Sequence, residues 1–274
     1  MNFTSKVLTL ELDGPVATLW LDNPDRRNAM GPELWTDLPA AMNLLAETAE
    51  VHAVVIAAKG TAFTVGLDLK TMGGVLVQAG SEGSDVARRA AFYREIRELQ
   101  SAITSVADCP KPVIAAVHGY CIGGGIDLIT ACDIRLAAAD ATFSVRETRM
   151  AMVADLGTLQ RLPRIVPHGH VAELVYSGKD ITASRAREIG LVNDVYADVA
   201  SLLTAAGTLA REIAANSPLG VQGSKAVLRA GEGRSVAEGL DYVALWNASF
   251  LKSHDLVEAM TAFQEKRPAA FKGE

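Results

Sequence analysis

Cysteine is scarce. The 274 residues hold three, Cys109, Cys121 and Cys132, an odd number with no C-x-x-C spacing. That argues against a disulfide framework and against a zinc site built on paired thiols, so no metal is expected. Reduced thiols fit a cytoplasmic protein. No apolar run approaches the ~18 residues that a membrane span needs. The start, Met1 to Lys6, has no apolar signal core, and the end, Phe271-Lys272-Gly273-Glu274, is no peroxisomal address. Basic charge is not in excess: the formal net charge is -6, which argues against nucleic acid as a partner. Three catalytic signatures are also missing. There is no G-x-G-x-x-G, no G-x-x-x-x-G-K-[ST] and no G-x-S-x-G, so dinucleotide, P-loop and nucleophile-elbow chemistry lose their usual marks. The five histidines, His52, His118, His168, His170 and His254, have no evident serine partner and read as structural or solvated.

What is present is a core-forming chain, 49% hydrophobic and 21% charged. Its most informative run is Ala115-Ala116-Val117-His118-Gly119-Tyr120-Cys121-Ile122-Gly123-Gly124-Gly125-Ile126-Asp127-Leu128. An apolar strand over 112–117 leads into three glycines and then a helical pattern over 126–136. Glycine lets a ligand approach the backbone, and the N–H groups at a helix start lack intrahelical partners. The turn therefore suits an anion, bound or developing in a reaction. Asp127 puts a carboxylate one helical turn from Gly124.

Elsewhere, 7–12 and 16–21 flank Asp13-Gly14-Pro15 as a hairpin. Helical periodicity covers 30–49, and 53–58 is a short apolar strand. The glycine- and serine-rich stretch 73–84 reads as a mobile loop beside the ligand pocket. An amphipathic helix over 86–106 carries Arg88, Arg89, Arg94 and Arg97, read as a solvated face paired with Glu95 and Glu98. A strand is expected at 141–145 and a helix over 155–166 with Asp155 as its N-cap. Helices follow at 197–216, 219–230 and 235–266. The pattern is α/β with a helical appendage, divided as 1–196 and 197–274.

Several of these segments together resemble the enoyl-CoA hydratase/isomerase (crotonase) superfamily. They are Asp25-Arg26-Arg27-Asn28-Ala29-Met30, Phe63-Thr64-Val65-Gly66-Leu67-Asp68-Leu69-Lys70, the glycine turn with Asp127, Cys132-Asp133-Ile134-Arg135, and Phe263-Gln264-Glu265-Lys266-Arg267. The resemblance implies a spiral of ββα units, a C-terminal helical trimerisation region, and trimers that pair into hexamers. It implies a coenzyme A thioester as substrate, so no separate cofactor, with the backbone N–H groups of Leu67 and Gly124 as an oxyanion hole. It also implies coenzyme A contacts from Arg26, Arg27, Ala29, Gly66 and Asp68, and from Phe263 and Lys266 reaching a neighbouring copy.

Within that superfamily, carboxylates select the reaction. Asp127, Glu147 and Asp155 are similar to the set of dienoyl-CoA isomerases, which convert 3,5-dienoyl-CoA to 2,4-dienoyl-CoA. Asp155 would be the base at the α-carbon, Glu147 the acid at the ε-carbon, and Asp127 would tune or orient Glu147. Taken singly, Asp155 could be a cap, Asp127 a helix-dipole partner and Glu147 a surface ion-pair residue. Arg149, if it reaches the site, would lower a neighbouring carboxylate's pKa. The alternative is a hydratase that adds water to a 2-enoyl-CoA with Asp127 and Glu147. Gly124→Val is expected to abolish turnover in a folded oligomer.

Overall fold

Asp13-Gly14-Pro15 turns the chain through Gly14, whose φ of +57° suits glycine, and pairs β1 (Leu8–Asp13) antiparallel with β2 (Val16–Leu21). The computed structural model describes residues 3–77 and 84–274. After the hairpin come α1 (Pro32–Glu47), β3 (Ala53–Ala58), α2 (Leu69–Val77) and α3 (Asp85–Asp108). Next are β4 (Val113–Val117), β5 (Tyr120–Ile122), α4 (Gly124–Ala131), β6 (Ile134–Ala138) and β7 (Thr142–Ser144). Then follow α5 (Thr158–Arg161), α6 (His168–Ser177), β8 (Ile181–Thr182), α7 (Ala183–Glu188) and β9 (Asp194–Tyr196). Four helices close the chain: α8 (Val199–Ala214), α9 (Pro218–Ala230), α10 (Val236–Phe250) and α11 (His254–Glu265).

One sheet runs β1-β2-β3-β4-β6-β9, parallel from β2 onward, and a smaller sheet runs β5-β7-β8. A recurrence is visible here. β4 lies in the large sheet, β5 in the small one, and α4 follows; β6 and β7 repeat the step before α5. Thr64 bridges Cys121, so the stretch after β3 joins the small sheet in the same way. β3 and β4 are buried along their whole length, as strands covered on both faces are. Ala53, Val55, Ala57, Ile114 and Ala116 face α8, which packs Leu202, Ala206, Ala210 and Ala214 against them. The other face meets α1, α3 and α4. Small residues on both sides let α8 lie close to the sheet. α8 is thus a layer of the core, although the boundary expected at 197 places it in the appendage.

Four expected elements differ. The helix over 126–136 stops at Ala131, and Ile134 begins β6, paired with Ile114. A short apolar run fits either state, and the open edge of β4 decides it. Over 155–166 only Thr158–Arg161 is α-helical, because Gly157 turns with φ +127° and Pro163 follows. Asp155 is therefore no N-cap. The helix over 235–266 is two helices, the second capped by Ser253, whose hydroxyl accepts from Leu256 N–H. Of the loop expected over 73–84, residues 73–77 extend α2, Ser84 caps α3 by accepting from Ala87 N–H, and 78–83 lie outside the described residues.

Candidate active site

Asn28 holds the floor of the site. Its amide donates to the carbonyls of Lys59 and Ala62, at 2.9 and 2.8 Å. Thr64 Oγ1 donates to Asn28 O at 2.6 Å and accepts from Gly66 N–H at 3.1 Å. Met30 N–H donates to Gly66 O, and Asp68 N–H to Met30 O. These bonds pin both sides of Leu67. Gly66 has φ +81°, and a Cβ there would lie 2.6 Å from Ile122 O and 3.4 Å from Gly124 N. Only glycine lets these two backbones meet.

The result is a pair of idle donors. Neither Leu67 N–H nor Gly124 N–H donates to a protein acceptor among the described residues. A Cβ built on Gly124 would lie 4.0 Å from Leu67 N, and both residues line one cavity. Such preorganised donors favour an oxygen on which negative charge develops. The same Cβ would come within 2.8 Å of Sδ of Met30, a fully buried side chain. Valine there would strike the core, so Gly124→Ala is the cleaner test than Gly124→Val. We expect Gly124→Ala to cut kcat by about 10²-fold with a lower Tm; wild-type turnover would remove the role of this N–H.

Above these donors opens a cavity of about 510 Å3. Trp35, Met72, Phe92, Ile96, Leu99 and Val153 give it apolar walls, while Gly66, Leu67, Gly124, Asp127, Glu147 and Asp155 line its polar end. The three carboxyls thus share one space, and each has a raised pKa. Burial pushes Asp127, 1% exposed, up to about 6 against the Thr158 hydrogen bond, with Asp155's charge adding. Burial pushes Glu147 up to about 7, aided by the charges of Asp127 and Asp155. Glu147 Oε2 is buried without a hydrogen-bond partner among the described residues, and Oε1 lies 3.4 Å from a Cβ built on Gly123. Burial also raises Asp155, whose residue stays exposed toward the cavity.

Asp127 touches Glu147 through charge rather than a hydrogen bond. Its Oδ1 accepts from Thr158 N–H at 2.6 Å, which ties α4 to the segment bearing Asp155. Arg149 does not reach the cavity. Its stem packs at Gly178, and its charge adds to the Arg146 hydrogen bond that, against burial, lowers the pKa of Asp180. Arg146 pairs with the same Asp180, and Glu147 has no ion-pair partner among the described residues. Asp133 of the Cys132–Arg135 motif is structural: Oδ2 accepts from Val113 N–H and from the buried Lys225 ammonium, at 2.7 and 2.6 Å.

The remaining expected residues lie apart from the cavity lining. Arg26 ends the turn before α1, Arg27 caps it and Ala29 follows, and Arg26 pairs with buried Asp68 at 2.8 Å. Asp68 thus holds a guanidinium rather than facing a phosphate itself. Phe263, 83% exposed, and Lys266 sit at the end of α11, and neither lines the cavity. The α3 wall is a feature the sequence reading missed. Glu95 lines the cavity instead of pairing on a solvated face, and Arg97 donates to Gln100, not Glu98. The signal was there in Phe92, Ile96 and Leu99, spaced four and three residues apart.

Residues 11–274 match the family model described as enoyl-CoA hydratase/isomerase. The chain is 41% identical over 269 residues to the peroxisomal Delta(3,5)-Delta(2,4)-dienoyl-CoA isomerase of Arabidopsis thaliana, covering 98% of this chain and 96% of that protein. It is 43% identical over 249 residues to the mitochondrial Delta(3,5)-Delta(2,4)-dienoyl-CoA isomerase of Mus musculus, covering 90% of this chain and 76% of that one. The crystal structure of an enoyl-CoA hydratase from Bacillus anthracis superposes with a TM-score of 0.88 at 30% identity, covering 98% of this chain and 100% of that chain. The large and small sheets wound through successive ββα steps are the crotonase fold, and the chain belongs to the enoyl-CoA hydratase/isomerase family.

Proposed function

We propose that this protein is a dienoyl-CoA isomerase, moving the double bonds of a 3,5-dienoyl-CoA to the 2,4 positions. The observation that carries this reading is Asp155, whose carboxyl joins those of Asp127 and Glu147 at the polar end of the cavity. The likeness to the plant and mouse isomerases supports it. The reaction breaks a C–H bond at the α-carbon and forms one at the ε-carbon. Asp155, open to the cavity, takes the α-proton. The electron pair delocalises through the diene onto the thioester oxygen, which the N–H groups of Leu67 and Gly124 stabilise. Glu147, near pKa 7, donates a proton at the ε-carbon as the double bonds shift. Coenzyme A is part of the substrate. Arg26, braced by Asp68, and Arg27 suit its phosphates by charge.

A hydratase reading would leave Asp155 without work. The test is to offer purified protein a 3,5-dienoyl-CoA and, separately, a 2-enoyl-CoA. The proposal expects rapid diene transposition and slow hydration; the reverse order of rates would make the protein a hydratase.

An assembly of copies, trimer or dimer of trimers, is part of the proposal. Leu228, Val236, Leu240, Val257, Met260 and Phe263 are exposed on α9 to α11, more apolar surface than an isolated chain keeps in water. Light scattering should give three or six times the chain mass of 29.0 kDa. A monomer at micromolar concentration would contradict it.

A further inference from the structure

Asp155 lies in a stretch without regular structure, between the turn ending at Met150 and α5. Its backbone is held from outside. Gln100 Nε2, on α3, donates to the Asp155 carbonyl at 2.6 Å. Gln100 Oε1 accepts from Arg97 Nη1 at 2.7 Å, one turn earlier on the same helix. That contact decides which end of the amide faces Asp155. The next carbonyl, Leu156 O, accepts from Arg161 Nη1 at 3.2 Å, and Arg161 Nη2 donates to Thr104 Oγ1 on α3 at 3.0 Å. Two consecutive carbonyls are thereby tied to one helix. That helix also presents Phe92, Ile96 and Leu99 to the cavity.

We propose that Gln100, oriented by Arg97, is a positioning residue that holds Asp155 in reach of the α-carbon from the helix that walls the cavity. One hydrogen bond contributes modestly to folding, about 1 kcal/mol. Its weight in catalysis is larger, because a displacement of about 1 Å at a reacting group can cost ~10²-fold in rate.

The inference rests on Asp155 acting in proton transfer, and the experiment separates the two claims. Gln100→Met keeps the length and the packing but removes the donor. Its kcat should fall about 10- to 100-fold, with KM changed less than about 2-fold. Arg97→Met, at an exposed site, should lower kcat by a smaller factor and add nothing once Gln100 is Met. In an Asp155→Asn background, Gln100→Met should cost no further rate in single turnover. A structural role would instead lower both backgrounds by the same factor. If Asp155→Asn turns over like wild type, the reading of Asp155 fails. If Asp155→Asn is inactive and Gln100→Met keeps wild-type kcat, or lowers both backgrounds equally, the positioning role is overturned. If Gln100→Met does not fold, Arg97→Met decides: unchanged kcat overturns the proposal.

Discussion

Asp155→Asn should lose diene transposition by about 10³- to 10⁴-fold while its Tm stays close to wild type. The side chain keeps its size and loses only its basicity. Among the described residues no other residue donates to the Asp155 carboxylate: it caps no helix, and the bond from Gln100 goes to the backbone carbonyl, which the substitution leaves intact. Its residue is exposed toward the cavity, so the amide keeps water as a partner. Thermal melting and the rate with 3,5-dienoyl-CoA read the two properties separately. Full activity in the variant would remove Asp155 from the chemistry.

Glu147→Gln should cost about 10³-fold in the same reaction, but with a different signature. If Glu147 is the acid at the far carbon, Asp155 still removes the α-proton. The variant should then exchange that proton with solvent deuterium while forming little product. Loss of exchange in Glu147→Gln, with exchange retained in Asp155→Asn, would reverse the two roles. The acidity profile follows from the same groups. The donor must be protonated, so kcat/KM should fall as pH rises past about 7, where Glu147 ionises. It should fall again on the acid side as Asp155 takes up a proton, at a pKa above the ordinary aspartate value. Stability carries a linked sign. Asp127 and Glu147 have pKa values raised by folding, to about 6 and about 7, so the stability they contribute is full at acid pH and lost as pH rises through those values. Glu147→Gln should therefore melt higher than wild type at pH 8 and nearly level with it at pH 4, below the ordinary glutamate pKa of about 4.3.

The glycine turn was legible because its chemistry is local. Three glycines between a strand and a helix can hardly mean anything but a close backbone approach, and Gly66 meets Gly124 across it. Asp127, Glu147 and Asp155 were legible only as a set. Each alone has an ordinary explanation, and Asp155 as a cap was one until Gly157 was seen to turn the chain before α5. The α3 wall was obscured by its own charges. Glu95 and the arginines around it suggest a solvated face, and only the fold shows Glu95 turned to the cavity with Phe92, Ile96 and Leu99. Strands of two or three residues, such as β5, β8 and β9, are too short for periodicity to register. Gln100 is beyond sequence reasoning of any kind, since its partner lies 55 residues on and accepts through the backbone.

The most direct measurement is the reaction of the wild-type protein with a 3,5-dienoyl-CoA in D2O, the product read by NMR. Two carboxyls, one taking a proton at the α-carbon and another giving one at the ε-carbon, predict a 2,4-dienoyl product with deuterium at the ε-carbon. An unlabelled product would mean that one group carries the same proton from end to end. A hydroxyacyl product would mean that the protein adds water and that Asp155 has no part in moving the diene.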